Sequence, residues 1–203
     1  MNVILFDFDG VIVDSFSFCY RIIHTRDGIT EDEYRARFEG NINDAPKKLV
    51  QSATSTTPFD FFEQYTKELL TQQPNQEIVP VIQKLAQAHT LIIISSTISP
   101  PIASFLELHN LKQYFKEILG NDVEKSKVKK IQDVLQRYNL QPSETVLITD
   151  TLGDIREANQ CGVKSIAVTW GFHPVETLEK GQPYQIINTP IEIIDAIKSA
   201  DLL

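Results

Sequence analysis

The sequence predicts an α/β protein built on a doubly wound parallel sheet, with a small all-helical segment inserted after the first strand. Short apolar runs at residues 3–6, 91–94 and 145–148 are typical of strands that are buried on both faces. Segments with apolar residues at helical spacing lie between the later runs, and this alternation of strands and helices is typical of doubly wound sheets. Residues 16–77 contain no strong strand pattern. We therefore divide the chain into two parts. Residues 1–14 and 78–203 form an α/β core, and residues 15–77 form a helical insert.

The first predicted strand, at residues 3–6, ends in two carboxylates, Asp7 and Asp9. Side chains alternate across a strand, so two residues that are two positions apart point to the same side while the chain stays extended. Gly10 follows and allows a tight turn. The end of this strand therefore presents a pair of acidic side chains.

The helical insert begins with apolar residues at helical spacing in the range 16–23. Thr30 and Glu33 form a capping-box pattern at the start of a second helix. Pro46 and Pro58 occupy positions that can open two further helices. The insert is therefore predicted to be helical throughout.

Basic side chains of the insert could reach an anionic part of a substrate, but helical Lys and Arg are usually solvated. No binding role is therefore assigned to Arg35, Arg37, Lys47 or Lys48. The turn at residues 38–41 is a candidate specificity loop by its position alone. A helix stop at Gly40 is the favoured interpretation of that turn.

Predicted helices and strands alternate from residue 78 to the end of the chain. The predicted strands occupy residues 91–94, 117–120, 145–148 and 165–168. The predicted helices occupy residues 81–86, 100–108, 128–138, 155–160 and 191–198. In a parallel sheet, the loops after the strands gather at one edge, and ligands bind there.

Acidic and hydroxyl side chains follow three of these strands, namely Asp7 and Asp9, then Ser95, then Asp150 and Asp154. Four carboxylates in one crevice would repel each other, because two unit charges about 4 Å apart cost about 4 kcal/mol at an effective dielectric near 20. A cation removes this repulsion, and oxygen ligands without a neighbouring His or Cys favour Mg²⁺. Because Mg²⁺ sites usually include a substrate phosphate, the pattern predicts a small phosphorylated metabolite as substrate.

The composition is that of an ordinary globular protein, with 203 residues, 42% hydrophobic and 23% charged. The net charge of −8 argues against a nucleic-acid-binding surface. The two cysteines, Cys19 and Cys161, have no C-x-x-C spacing, so neither a disulfide framework nor a zinc site is indicated. No apolar stretch approaches about 18 residues and the first strand begins almost at once, so we expect a cytoplasmic protein.

Residues 7–15, with the sequence DFDGVIVDS, resemble the first motif of the haloacid dehalogenase-like superfamily, most of whose members are magnesium-dependent phosphohydrolases. The resemblance implies that Asp7 attacks phosphorus and that Asp9 is the general acid and base. It also implies that the helical insert is a cap domain that closes over the active site and selects the substrate. Ser95, or Ser96 if the strand is one residue longer, is similar to the phosphoryl-binding hydroxyl of the second motif.

Residues 150–154, with the sequence DTLGD, are similar to the fourth motif of that superfamily. The resemblance implies Mg²⁺ held by Asp7, the main-chain carbonyl of Asp9 and Asp150, with Asp154 in support. Thr149 stands where a Gly is common.

The third motif of the superfamily is a single lysine before a helix, which binds phosphate. Counting back without gaps from Asp150 favours Lys125. Lys127 is the alternative, because the usual Lys-Pro pair is absent and the helix can start differently. The tail of the chain is similar to phosphoglycolate phosphatase-like members; within it, His173 is expected in a surface loop and receives no metal role.

Two alternatives to a phosphatase stay open. A phosphosugar mutase of the beta-phosphoglucomutase type shares the first motif, the helical cap and a Ser-Ser pair after the second strand. Asp154 argues against it, because those mutases carry Glu-Asp at the fourth motif and lack the later Asp. A non-catalytic phosphate-binding or regulatory protein would keep the same fold, and the presence of every expected catalytic residue type argues against that alternative.

Overall fold

The structure, a computed structural model, describes residues 2–43 and 59–200. Four positions that the sequence interpretation used in the helical insert lie outside the described residues: Pro46, Lys47, Lys48 and Pro58.

Six parallel strands form the central sheet of the protein. They are β1 (Val3–Phe6), β2 (Thr90–Ile94), β3 (Phe115–Leu119), β4 (Thr145–Thr149), β5 (Lys164–Val168) and β6 (Gln185–Ile187). Their spatial order is β3-β2-β1-β4-β5-β6, and every neighbouring pair runs parallel. This order is that of a doubly wound sheet, so the predicted fold class is confirmed.

The helices of the core pack on both faces of this sheet and connect its parallel strands. Together with those of the insert, they are α1 (Phe16–Asp27), α2 (Glu31–Ala36), α3 (Phe61–Leu69), α4 (Ile78–Leu85), α5 (Ser99–Leu108), α6 (Lys127–Arg137), α7 (Leu152–Gln160), α8 (Val175–Leu178) and α9 (Glu192–Ser199). The sequence pattern did not predict β6 or α8, because three and four residues are too short to show a period.

The register of the central strands brings their ends to one level. Phe6, the last residue of β1, pairs with Ile93 of β2 and with Ile148 of β4. All residues of β1 and β4 are buried, as expected for strands covered on both faces. The chain segments that follow these three strands therefore start side by side at the same edge of the sheet.

The helical insert contributes α1, α2 and α3, and its described residues contain no strand. The predicted capping box is present, since Glu33 N–H donates to Thr30 Oγ1 (3.2 Å) and Thr30 N–H donates to Glu33 Oε2 (2.9 Å). Phe16 of α1 and Tyr65 of α3 belong to the same apolar cluster as Phe6 of the sheet. Among the described helices, none has the length and apolar character needed to cross a membrane.

Candidate active site

Asp7 follows β1 and is 5% exposed. Its N–H donates to the Ile148 carbonyl of β4 over 2.9 Å, so the pairing of β1 continues through this residue. One carboxylate oxygen, Oδ1, accepts a hydrogen bond from Phe8 N–H (2.8 Å), and the other, Oδ2, lies 2.8 Å from Lys127 Nζ. Burial raises the pKa of Asp7 well above its ordinary value, against the opposing effect of Lys127. The main chain and one cation therefore hold this carboxyl group in place.

Lys127 is the first residue of α6 and is 2% exposed. Ser126 caps the helix by accepting a hydrogen bond from Lys129 N–H, which sets the direction of this first turn. Lys127 Nζ lies 2.5 Å from Asp154 Oδ2 as well as 2.8 Å from Asp7 Oδ2. Burial favours the neutral amine, but the two carboxylates outweigh it and raise the pKa of Lys127. The lysine is therefore a buried cation between two acids.

Lys127 occupies the position beside Asp7 that the residue count favoured for Lys125. The Lys125 side chain is exposed, and its main-chain carbonyl accepts hydrogen bonds from Asn41 Nδ2 (3.4 Å) and Asn43 Nδ2 (3.1 Å) of the insert. The residue count pointed two positions too early along the chain, because α6 starts with a Ser cap and not with a Lys-Pro pair.

Asp150 directly follows β4 and is completely buried. Its Oδ2 accepts a hydrogen bond from Phe172 N–H (2.7 Å) in the loop after β5. Its Oδ1 is buried without a hydrogen-bond partner among residues 2–43 and 59–200. Burial raises the pKa of Asp150 to about 7. One oxygen of this carboxyl group is thus held by the protein and the other is left without compensation.

Asp154 lies in the first turn of α7 and is 6% exposed. Its Oδ2 accepts a hydrogen bond from Thr149 Oγ1 (2.7 Å) in addition to the contact with Lys127. Burial opposes ionisation, but Lys127 and these hydrogen bonds prevail and lower the pKa of Asp154. Thr149, which replaces a common Gly, therefore has a contact that a Gly could not make.

Ser95 follows β2 and is 1% exposed, whereas its neighbour Ser96 is half-buried. Ser95 Oγ accepts a hydrogen bond from Thr97 N–H (3.0 Å), and its carbonyl accepts one from Lys130 Nζ (2.6 Å). The sequence interpretation missed Lys130, although its spacing of three from Lys127 places both on one face of α6. Burial lowers the pKa of Lys130 to about 8.

Asp9 accepts two hydrogen bonds from residues that the sequence interpretation did not select. Tyr65 of α3 donates its hydroxyl to Oδ1 over 2.7 Å, and Thr97 donates Oγ1 to Oδ2 over 2.8 Å. Burial, followed by the charge of Asp9, raises the pKa of Tyr65. Thr97 continues the Ser95-Ser96 run, so its position was visible in the sequence, whereas Tyr65 was visible only as one of several aromatic residues of a helix.

The insert and the core enclose a cavity of about 260 Å³ above these residues. The predicted site residues that line it are Asp7, Asp9, Ser95, Ser96, Lys127 and Asp154. Its aromatic walls come from Tyr34, Phe38, Phe61, Phe62, Tyr65 and Phe172. The structure thus brings most of the predicted polar residues to one cavity, whereas Asp150 is outside the lining and is hydrogen-bonded to the main chain of Phe172, which lines the cavity.

Residues 4–168 match the family model described as "Haloacid dehalogenase-like hydrolase". The chain belongs to this family. A phosphoglycolate phosphatase from Synechococcus elongatus is 25% identical over 211 residues, which cover 97% of each chain.

Two solved structures show the same fold. A haloacid dehalogenase-like family hydrolase from Streptococcus pneumoniae has a TM-score of 0.75 at 22% identity, over 96% of this chain and 97% of that one. A proposed beta-phosphoglucomutase from Thermotoga maritima has a TM-score of 0.70 at 20% identity, over 98% of this chain and 99% of that one. The fold alone therefore does not separate a phosphatase from a mutase.

Two arginines of this hydrolase share one buried acid at the wall of the cavity. Arg26 Nε lies 2.5 Å from Asp27 Oδ1, and Arg37 lies 2.9 Å from Asp27 Oδ2. The hydrogen bond from Arg26 is the main cause that lowers the pKa of Asp27, so the acid is ionised. Both arginines line the cavity. The group of three carries one net positive charge.

The turn at residues 38–41 of the hydrolase lies on the start of α7. Gly153 N–H donates to the Phe38 carbonyl (2.8 Å), and Arg156 donates to the Glu39 carbonyl (2.6 Å). A Cβ atom at Gly153 would lie 2.3 Å from the Gly40 carbonyl oxygen, so the two main chains approach as closely as glycine allows. The insert is therefore seated directly on the helix that carries Asp154.

His173 connects the same helix to the insert. Its Nδ1 accepts a hydrogen bond from Leu152 N–H (3.0 Å), and its Nε2 donates to the Arg35 carbonyl (2.9 Å). His173 is 2% exposed, and burial lowers its pKa, which keeps the ring neutral. The expectation of a surface loop was wrong for this residue, because tertiary contacts from two sides cover it.

Proposed function

We propose that this protein is a Mg²⁺-dependent phosphatase that hydrolyses a small-molecule phosphate monoester through an aspartyl-phosphate on Asp7. The observation that carries the proposal is the buried contact of Lys127 with both Asp7 and Asp154, in the lining of a cavity that Asp9 also lines. A cavity of about 260 Å³ is close to the lower limit of about 300 Å³ for ligand pockets and suits a small metabolite. The name of the phosphoglycolate phosphatase relative supports the same reaction.

In the first step, a carboxylate oxygen of Asp7 attacks phosphorus and forms the P–O bond of the aspartyl-phosphate. The bond between phosphorus and the ester oxygen breaks, and its electron pair goes to the leaving oxygen. Asp9 donates its proton to that oxygen and becomes a carboxylate. Both groups line one cavity, so a phosphate ester bound there can lie next to both.

In the second step, a water molecule attacks the phosphorus of the aspartyl-phosphate. Asp9 accepts a proton from the water, and the bond between phosphorus and Asp7 breaks with its electron pair returning to the carboxylate. The balance is one ester and one water consumed, and one alcohol and one phosphate formed. Asp7 and Asp9 are then restored to their starting states.

Lys127 and Ser95 complete the proposed phosphoryl site. A cation 2.8 Å from the nucleophile offsets negative charge as phosphate approaches Asp7. Asp154 keeps that cation in position through the 2.5 Å contact, and we propose that it acts through Lys127. The half-buried hydroxyl of Ser96 is the alternative to Ser95 as donor to a phosphoryl oxygen.

The residues present fit a hard cation such as Mg²⁺. A buried carboxylate oxygen without a partner, as at Asp150 Oδ1, costs free energy unless a cation or proton compensates it. We propose that Asp7 and Asp150 hold the ion with the main-chain carbonyl of Asp9, and that it supplies stabilisation of phosphoryl charge when bound. The described ranges contain no group of three His, Cys, Asp or Glu side chains arranged around a common point, and Mg²⁺ sites often use one or two carboxylates plus substrate oxygens.

We further propose that the helical insert acts as the cap that selects the substrate, and that the substrate carries a second anionic group. Arg26 and Arg37 line the cavity, and among residues 2–43 and 59–200 the acid paired with both is Asp27, so this group of three residues brings one net positive charge to the cavity wall. A carboxylate could accept from the guanidinium of Arg37. The sequence interpretation assigned no role to Arg37, because its burial against Asp27 was not visible there.

Mg²⁺-dependent phosphate release tests the proposal across sugar phosphates, phosphoglycolate and nucleotides. Release by the wild-type enzyme that Asp7→Asn abolishes is the expected result, with the exposed Asp14→Asn of the same motif as matched control. Acid quenching during turnover should trap one phosphoryl group on the wild-type chain and none on Asp7→Asn. Movement of phosphate within a hexose phosphate without release would establish a mutase, and binding without turnover would establish a non-catalytic protein.

A further inference from the structure

Two hydroxyl groups from different parts of the protein hold the carboxyl group of Asp9. Tyr65 belongs to α3 of the insert and donates to Oδ1 over 2.7 Å. Thr97 belongs to the loop after β2 of the core and donates to Oδ2 over 2.8 Å. The plane of the Asp9 carboxyl group is therefore set by one donor from the insert and one from the core.

Tight packing leaves the Tyr65 hydroxyl little freedom to turn elsewhere. The residue is 0% exposed, and its ring centroid lies 5.5 Å from that of Phe18 on α1 and 5.8 Å from that of Phe61 on α3. A buried tyrosine normally directs its hydroxyl to a partner, and here that partner is the acid that lines the cavity. The insert therefore reaches into the core at the residue that would exchange protons with the substrate.

We propose that Tyr65 is a positioning residue for the acid–base step, because its hydroxyl turns the Asp9 carboxyl group toward the leaving oxygen. This inference rests on the proposed phosphatase function. A carboxyl oxygen that carries a proton can still accept one hydrogen bond, so the contact with Tyr65 is compatible with Asp9 as acid and as base.

Acid–base chemistry then depends on the seating of α3. When α3 is in place, Asp9 has both donors and the cavity is covered by the aromatic residues of the insert. Without the Tyr65 hydroxyl, Thr97 is the remaining side-chain donor to Asp9 among the described residues, and the carboxyl group is free to rotate about that single hydrogen bond.

The test replaces Tyr65 by Phe, which keeps the ring and removes the hydroxyl, and compares two leaving groups. Phosphoglycolate, or the sugar phosphate that the wild-type enzyme cleaves fastest, has an alcohol leaving group that needs a proton. p-Nitrophenyl phosphate has a leaving group that departs without one. The ratio kcat/KM reports the steps up to transfer of the phosphoryl group to Asp7 and leaves out hydrolysis of the aspartyl-phosphate, so the difference between the two leaving groups reports protonation.

We expect Tyr65→Phe to lower kcat/KM for the alcohol ester about tenfold or more and for p-nitrophenyl phosphate less than about threefold. A tenfold loss is a modest part of the about 10²–10⁴-fold that general acid–base catalysis contributes. Tyr138→Phe is the matched control, because it removes another tyrosine hydroxyl that donates to a carboxylate, that of Glu117, outside the cavity lining. It should leave both ratios unchanged.

Equal losses for both leaving groups, or no loss for either, would overturn the role of Tyr65. Thermal unfolding shows whether each variant is folded, and Tyr65→Met, which fills the space without a hydroxyl, serves if Tyr65→Phe is not. A wild-type enzyme that cleaves neither ester would overturn the proposed function, and this inference with it. A wild-type enzyme that cleaves both, with a uniform effect of Tyr65→Phe, would overturn this inference alone.

Discussion

Replacement of Lys127 by Met removes the cation between two buried carboxylates and keeps most of the side-chain volume. Lys127 is 2% exposed, and its Nζ lies 2.8 Å from Asp7 and 2.5 Å from Asp154. Breaking a buried ion pair by removing one partner costs about 3–5 kcal/mol, because the remaining charge is left uncompensated. Asp7 can take up a proton, since burial already raises its pKa, so we expect a loss near the lower end, about 3 kcal/mol of unfolding free energy.

The same substitution should also reduce activity. A protonated Asp7 is no nucleophile, and the phosphoryl group loses the cation beside it. Removing one group that stabilises charge in a transition state typically costs about 10²–10³ in kcat. We therefore expect kcat/KM to fall at least about 100-fold, by the loss of about 2.7 kcal/mol of transition-state stabilisation.

Lys125→Met is the matched control, because it makes the same change two residues earlier on an exposed side chain. Its unfolding free energy should stay within about 0.5 kcal/mol of the wild type. Urea unfolding measures stability, and the initial rate of phosphate release measures kcat/KM. If Lys125→Met lost activity while Lys127→Met kept it, the placement of Lys127 as the phosphoryl-site lysine would be refuted.

Three further predictions concern the turn, the arginine and the second buried lysine. Gly153→Ala would place a Cβ atom 2.3 Å from the Gly40 carbonyl oxygen, so the turn at residues 38–41 must move. We expect KM to rise about tenfold with little change in kcat. An unchanged KM would show that this turn has no part in substrate binding. Arg37→Met should raise KM about tenfold for phosphoglycolate but less than about threefold for p-nitrophenyl phosphate, which lacks a second anionic group; equal changes would contradict a second anion site. Burial lowers the pKa of Lys130 to about 8, whereas a lysine in an unfolded chain has a pKa of about 10.4. Between these two pH values the unfolded chain binds more protons than the folded protein. The free energy of unfolding therefore increases as the pH rises. Urea unfolding at pH 7 and pH 10 should show the stability of the wild type relative to Lys130→Met rising by about 2 kcal/mol, and a constant difference would exclude this titration.

The meeting of the predicted carboxylates followed from local patterns. Asp7 and Asp9 come after one buried run, Ser95 after another and Asp150 after a third. Parallel strands that pair in register end at one level, so residues at the ends of these runs had to meet. Continuous apolar runs were therefore enough to place them at one edge without any knowledge of distances.

The choice of lysine did not follow from local patterns. A count along the chain favoured Lys125, but the start of α6 at Lys127 decides which side chain points at Asp7. Ser126 caps the helix and leaves Lys125 before it, exposed. A shift of two residues at the start of a helix changes the direction of a side chain by about half a turn, and sequence patterns locate helix ends only to within a few residues.

Contacts between distant segments were also hidden from the sequence. Tyr65 reaches Asp9 from 56 positions away, and His173 reaches Arg35 from 138 positions away. Nothing in the periodicity of a helix tells which buried aromatic residue directs its hydroxyl to a given acid. Such pairings depend on how the insert is seated on the core.

The sequence by itself determined the α/β class, the family, the two acidic clusters and the edge of the sheet where they meet, because apolar runs, helical spacing and short motifs are local properties of the chain. Tertiary structure alone decided that Lys127 lies between Asp7 and Asp154, that one oxygen of Asp150 has no hydrogen-bond partner within the described part of the chain, and that Tyr65 of the insert holds Asp9. These features depend on side-chain directions and on packing between elements far apart in the chain. Local patterns fix neither.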